Sequence, residues 1–241
     1  MYKGQRIILI APAYNEESKI VEVIRRVPPG IVDKILIVDD GSTDNTASAS
    51  LQAGADQVIS LGKVMGVGAA IRCGYELARQ EGYEIAVTIA GNNKDDPSEI
   101  IKLLDPICDQ QMDFVMGSRF MREGGYGGDM PLYRKIATRV HPWLLGTICG
   151  KKITESTNGY RAIKLSILDD NNIRLEQSWL DHYELEVYLL MKLLKSNYNT
   201  VEVPVHKIYP PKRIGNTKMR PVVDWWKILR PIFLIGLGFR S

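Results

Sequence analysis

The sequence is poor in cysteine, and its cysteines stand far apart. Cys73, Cys108 and Cys149 are all that 241 residues contain. An odd, scattered set gives neither a disulfide framework nor a zinc-ligand spacing, and it fits a reducing compartment. Long apolar runs are missing too: none reaches the ~18 residues of a membrane-spanning helix. The opening MYKGQRIILIAPAYNEE has a short apolar run that soon meets Asn15 and two acids, without a signal peptide's h-region and cleavage site. Excess charge is small. The 31 basic and 28 acidic residues leave +3, which excludes a general nucleic-acid binder. There is no internal repeat or low-complexity linker, so a second independent domain is not expected. Apolar residues at 45% and charged residues at 24% exclude a disordered, collagenous or coiled-coil chain. The small net charge hides an asymmetry. From Lys207 onward eight basic residues face one acid, Asp224, so the tail is +7 and the rest −4. A basic tail on a mildly acidic body predicts an anionic ligand or surface near the C-terminus.

The first 117 residues alternate in type. Apolar runs at Arg6 to Ala11, Lys34 to Val38, Gln57 to Leu61, Glu84 to Ala90 and Phe114 to Gly117 read as strands. Helical spacing separates them at residues 16–27, 45–53 and 67–80, and Pro97 opens a further helix to about Cys108. Near-continuous apolar strands between helices predict a parallel sheet covered on both faces. Ligands of such sheets bind beyond the C-terminal strand ends. Those ends carry PAYNEE, DDGSTDNT and AGNNKDDP. After Arg119 the alternation stops. Gly124 to Gly128, GGYGG, reads as a mobile loop, Pro131 to Ile148 as an amphipathic helix, Asp181 to Leu194 as a helix and Thr200 to Val205 as a strand.

A strand end that meets a helix N-terminus offers backbone N–H groups to an anion, and PAYNEE places Tyr14, Asn15 and Glu16 there. The bland alternative is that Asn15 caps the helix. Asp39 and Asp40, followed by Gly41 and hydroxyls, suit a base and ribose edge or, equally, a capped turn. PAYNEE, IVDDGSTDNT, GVGAAIRCGYELA and a strand leading into DDP, in that order, resemble glycosyltransferase family 2. GSRF at 117–120, the Gly-rich loop, PLYRK at 131–135, STNGYRA at 156–162 and VEVPV at 201–205 resemble its dolichyl-phosphate mannosyl synthase branch, the polyprenyl-phosphate glycosyltransferases. The resemblance implies a GT-A fold, an α/β three-layer sandwich with a mostly parallel central sheet and helices on both faces. It places that domain at 1–220 and leaves 221–241 as a basic, aromatic appendage. It implies that Pro12, Ala13, Tyr14, Glu16 and Asp40 line the nucleotide pocket. The Gly66-Val67-Gly68 segment reads as tight helix packing rather than a phosphate loop.

The fourth strand departs from the family. The resemblance implies a DxD pair there, which grips a divalent metal, Mg or Mn, on the donor diphosphate. Aligned on Asp96-Pro97, those positions are Ala90 and Asn92, and the family's following Gln is Lys94. A hard cation needs carboxylate oxygens. Three expectations follow: Asp95 or Asp96, with Asn92, holds the metal; the Lys94 ammonium neutralises the diphosphate instead; or the loop is degenerate and there is no turnover.

The resemblance makes Arg119 and Arg134 phosphate-binding, and guanidinium forks suit that geometry. A lipid phosphate is already anionic and needs no general base, only placement and charge screening. NGYRA reads as a turn that puts Arg161 after Gly159, and by the resemblance Glu155 stands at a family Asp position. The resemblance allows one of Glu184 and Glu186 at a family acidic position, without fixing which; the plain reading of either is a solvated helix face. His141, His182 and His206 share no ligand spacing. Lys212, Arg213 and Lys218 resemble the family's basic segment that meets donor or lipid phosphate. The tail VVDWWKILRPIFLIGLGFR suits an interfacial helix kinked at Pro231, or a helix packed on the body or in a homodimer seam. The resulting expectation is inverting transfer of a hexose from a GDP- or UDP-linked donor to a polyprenyl phosphate. The enzyme would be cytoplasmic and peripheral on the membrane. Two rivals stand beside it. One is transfer to a saccharide, with Asp95, Asp96 or Glu155 as base. The other is a non-catalytic nucleotide-sugar-binding subunit.

Overall fold

Apolar residues without polar alternation need cover on both faces, and the first strand has it. In the computed structural model, which describes residues 1–211, 223–236 and 238, β1 (Ile7–Ala13) keeps Ile7 through Ala11 at most 1% exposed. It lies inside a seven-stranded sheet with β2 (Lys34–Asp39), β3 (Gln57–Ser60), β4 (Ile85–Thr88), β5 (Phe114–Ser118), β7 (Arg161–Lys164) and β8 (Thr200–Pro204). The spatial order is β3-β2-β1-β4-β7-β5-β8. All pairings are parallel except those of β7, which runs antiparallel between β4 and β5. Seven helices among the described residues cover the sheet: α1 (Glu17–Arg25), α2 (Thr46–Ala53), α3 (Val67–Gln80), α4 (Ile100–Gln110), α5 (Leu132–Cys149), α6 (Glu184–Lys195) and α7 (Val223–Gly236). One apolar layer gathers Ile20, Val23 and Ile24 of α1 with Leu103 and Leu104 of α4. The other gathers Ala70 and Ile71 of α3, the α6 leucines, Leu145 of α5, and Ile228 and Ile232 of α7. The mostly parallel three-layer α/β arrangement is the one the strand–helix alternation predicts.

Several local expectations need correction. GGYGG is not a loop: β6 (Gly125–Gly128) pairs in parallel with β9 (His206–Tyr209). Strand β9 escapes a period-two reading because its pattern is inverted. Lys207 and Tyr209 point inward, while Ile208 is 62% exposed. NGYRA is only partly a turn, since Arg161 begins β7. Asn15 does not cap α1. Its φ is +49°, and its side chain accepts the Thr43 N–H at 2.8 Å, which fixes the turn after β2. Pro97 opens a short 3-10 turn before α4 rather than the helix itself.

His141 is a tie between elements. Its Nδ1 lies 2.7 Å from the Ser156 hydroxyl and its Nε2 3.3 Å from the Ile228 carbonyl, joining α5 to α7. Burial pushes its pKa down to about 4, so the ring is neutral at pH 7. No helix among the described residues is long and apolar enough to cross a membrane.

Candidate active site

Strand β1 has β2 on one side and β4 on the other, so the strand order reverses at β1. A crevice opens beyond the strand ends at such a point. There a cavity of about 390 Å³ is lined by Pro12, Ala13, Tyr14 and Glu16 after β1, Asp40 after β2, and Ala90, Asn92 and Lys94 after β4. Arg119, Arg134 and Arg161 line it from the later part of the chain. The expected nucleotide, phosphate and strand-end residues thus converge on one space. Lys212, with Arg213 and Lys218, lies outside the described residues.

The edge after β2 is built from backbone. The Asp40 carboxylate accepts the Met65 N–H at 2.6 Å and the Gly66 N–H at 3.0 Å. This anchors the loop that enters α3. Gly66 has φ +111°, and a Cβ there would meet the Asp181 carbonyl at 2.3 Å. A Cβ on Gly68 would meet the Leu180 carbonyl at 2.0 Å. The glycine pair therefore serves close approach between α3 and residues 180–182. Glu16 is buried and pairs with Lys19 at 2.7 Å.

The opposite wall is cationic and organised around Tyr209, which is 1% exposed. Arg119 donates to the Tyr209 hydroxyl, to Glu155 at 2.6 Å and to Thr157 at 3.1 Å. Glu155 is fully buried, and Arg119, with backbone N–H groups of residues 156 and 157, holds its pKa below the usual range despite that burial. The Lys94 ammonium and the Arg134 guanidinium each lie 5.7 Å from the Tyr209 ring centre, so they stand at most twice that distance apart. Burial, then the charges of Arg134 and Lys207, pull the Lys94 pKa down to about 7. Arg134 Nε and Nη1 are buried with no hydrogen-bond partner among the described residues. Arg161 is a brace rather than an open ligand: it donates to the carbonyls of Asn158, Glu186 and Ser156 at 2.6, 2.7 and 3.1 Å.

The two aspartates after Lys94 are each engaged by a cation. Asp95, 1% exposed, receives both of its short contacts, 2.7 and 2.5 Å, from the Lys207 ammonium. Asp96 accepts from Ser98 and pairs with Arg26 at 2.6 Å. Neither lines the cavity. Asn92 does line it, with its Oδ1 accepting the Lys94 N–H at 3.2 Å. Among the described residues no group of three His, Cys, Asp or Glu side chains could hold a metal. The cavity offers six basic side chains against three acidic ones, Glu16, Asp40 and Glu186. One of those acids is bound to Lys19 and another to backbone N–H groups. A hard divalent cation wants converging carboxylates, and these residues do not fit one.

Sequence reasoning missed Lys207, Tyr209 and Glu186. The first two lie on the unforeseen β9. Glu184 and Glu186 were expected in solvent, but α6 is buried nearly all round. Glu184 is 1% exposed and pairs with Arg230 of α7 at 3.0 Å. Glu186 lines the cavity, 4.0 Å from the Arg161 guanidinium.

Comparison with known proteins agrees with this architecture. The profile described as Glycosyl transferase family 2 matches residues 8–171. A UDP-N-acetylglucosamine–dolichyl-phosphate N-acetylglucosaminyltransferase of Methanococcus voltae is 31% identical over 96% of both chains. Polyprenol monophosphomannose synthase of Mycolicibacterium smegmatis is 28% identical over 89% of this chain and 81% of its own. Among solved structures, glucosyl-3-phosphoglycerate synthase of Mycobacterium tuberculosis, in complex with Mn²⁺, UDP and phosphoglyceric acid, superposes with a TM-score of 0.69. It does so at 20% identity, over 99% of this chain and 80% of that one. With the sheet order, the crevice and these relatives in agreement, the chain belongs to glycosyltransferase family 2 and is a glycosyltransferase of GT-A fold.

Proposed function

We propose that the chain transfers a hexose, with inversion, from a nucleoside-diphosphate sugar to a polyprenyl phosphate. The observation that carries this reading is Arg134 in the cavity wall, its Nε and Nη1 buried with no hydrogen-bond partner among the described residues. Buried polar groups in folded proteins find partners, and a guanidinium fork matches a phosphate. The nucleotide would occupy the edge formed by Tyr14, Glu16 and Asp40. An acceptor phosphate oxygen would form the new bond to the anomeric carbon as the bond to the donor diphosphate breaks, and the nucleoside diphosphate would leave. That oxygen is already anionic, so no proton has to be removed. A hydroxyl acceptor would need a base, and Asp95, Asp96 and Glu155 are each committed to a cation. The M. voltae and M. smegmatis relatives, by name, also act on polyprenyl carriers. A transfer assay with UDP- and GDP-hexoses tests the reading. Product is expected with a short-chain polyprenyl phosphate and not with the matching polyprenol. Equal transfer to polyprenol or to a free saccharide, with Glu186 as the available base, would overturn it.

Membrane contact is part of the same reading, and α5 supports it more than the tail alone. Leu132, Tyr133, Ile136, Val140 and Trp143 are 45–72% exposed. At 100° per residue they fall on one stripe, opposite Arg134 and Thr138, which face the cavity. Residues 130–154 carry five basic side chains and no acid. On the neighbouring α7, exposed Trp226 and Phe233 stack at 6.1 Å. An apolar stripe rimmed by cations suits an anionic lipid surface. The protein is expected to pellet with phosphatidylglycerol vesicles and far less with phosphatidylcholine. Ile136→Glu/Trp143→Glu should reduce pelleting about tenfold or more. Undiminished pelleting of the variant, or a wild-type dimer that the substitutions dissociate, would assign the stripe elsewhere.

A further inference from the structure

We propose that Lys94 takes the place of a divalent cation, so that the donor's diphosphate binds with no metal. The inference rests on the nucleotide-sugar reading above and adds what neutralises the diphosphate. Lys94 follows β4 at the crevice where the strand order reverses, and it lines the cavity there. Its position is fixed from both sides. The Lys94 carbonyl accepts the Ile208 N–H of β9 at 2.7 Å, and its own N–H donates to Asn92 at 3.2 Å. An isolated bridge between Asp95 and Lys207 continues the pairing. The same strand supplies Tyr209, whose ring sits beside both Lys94 and Arg134.

The cavity-lining positions just after β4, Ala90 and Asn92, carry no carboxylate. The next acid, Asp95, is neutralised in the core by Lys207, and Asp96 is engaged by Arg26. What lines the cavity instead is a set of cations drawn from separate elements: Lys94 after β4 and Arg134 on α5, beside Arg119 after β5 and Lys207 on β9, whose charges Glu155 and Asp95 balance. Like charges held together in a partly buried space are relieved by an anion and aggravated by another cation. A diphosphate supplies the anion. A divalent ion would enter the same space with the wrong sign. The neighbouring glucosyl-3-phosphoglycerate synthase structure pairs UDP with Mn²⁺, and here an ammonium would do the corresponding electrostatic work on the leaving group.

Calorimetric titration of the full chain with UDP and GDP, in EDTA and in millimolar Mg²⁺ or Mn²⁺, tests this. The preferred nucleotide is expected to bind with a Kd that differs less than about threefold between the two conditions. Lys94→Gln should weaken diphosphate binding in EDTA by about tenfold to a hundredfold, as loss of one charge-assisted contact does. The corresponding monophosphate should bind the variant and the wild type alike, which shows that the pocket is intact. Ala90→Asp/Asn92→Asp/Lys94→Gln should convert the site, so that EDTA abolishes its binding. Wild-type binding seen only with metal would overturn the proposal and leave the nucleotide-sugar reading standing. If neither nucleotide binds in either condition, the nucleotide-sugar reading itself falls.

Discussion

Arg134→Ala is expected to lower kcat/KM for a polyprenyl phosphate by about 10² to 10³, the scale on which one preorganised charge-stabilising donor acts. The side chain crosses from α5 to the Tyr209 ring, and its Nε and Nη1 have no protein partner among the described residues. Removing it would delete the proposed phosphate contact without stranding a buried acid. Arg134→Lys should recover only part of the loss, because an ammonium keeps the charge but not the two-pronged geometry. The loss should fall mainly on the lipid-phosphate KM and on kcat, with a smaller loss of calorimetric affinity for the nucleoside diphosphate, since Arg134 shares the cavity with Lys94. An unchanged KM for the lipid phosphate would refute the role. Arg119 makes an instructive contrast. Its guanidinium is spent on Glu155, Thr157 and Tyr209, so Arg119→Ala would leave Glu155, fully buried, without its cation. That variant should fail by destabilisation, about 3–5 kcal/mol for a broken buried pair, rather than by selective loss of acceptor.

The parts of this enzyme that were legible in its sequence share a physical cause. Strands β1, β2 and β4 are buried on both faces, so their apolar runs appear undiluted, and the polar residues that follow them mark the strand ends. That is why Pro12, Asp40 and Asn92 could be placed on one crevice before any coordinates. The cationic wall was only half visible. Arg119 and Arg134 stand in segments that resemble a family, but Lys207 and Tyr209 do not. Their strand, β9, turns a lysine inward and an isoleucine outward, and neither hydropathy nor period-two alternation identifies that. The inversion has a local reason. The inward lysine neutralises Asp95, and the residue of β6 opposite Ile208 is Gly127, which adds no apolar surface for Ile208 to cover. Asp95 and Asp96 were misleading for a related reason: a carboxylate beside a strand end looks available until its partner is known, Lys207, 112 residues later, for Asp95 and Arg26, far earlier in the chain, for Asp96. Glu186 was hidden differently. An acid in the first turn of a helix is ordinary on the surface, and only the burial of α6 turns it toward the cavity.

That Asp95–Lys207 pair is the second place where a large effect is expected. Asp95 is 1% exposed and Lys207 7%. The lysine donates to both carboxylate oxygens and, at 2.9 Å, to Asn158. Asp95→Ala should destabilise the fold by about 3–5 kcal/mol, because the cost is that of a buried ammonium left without its counter-charge. Burial already depresses the Lys207 pKa, and Asp95 is the main influence that opposes it. Without Asp95 the folded-state pKa falls further, while the unfolded value stays near 10.4. Between those two values the unfolded chain binds more protons than the folded one, so the variant's stability rises with pH and is lost as pH falls through the window. Asp95→Ala/Lys207→Met should recover most of the loss, since an apolar side chain of similar length can fill the space without a charge to solvate. Urea unfolding of the four proteins of this cycle at pH 6.5 and 9 measures the coupling. A coupling below about 1 kcal/mol would show that the pair is not what binds the 94–96 turn to β9. Lys207 itself lines the cavity, so the positional share is read from Asp95→Asn, which keeps the ammonium. If that variant also weakens nucleoside-diphosphate binding, the pair holds the 94–96 turn, and Lys94 with it, at the crevice.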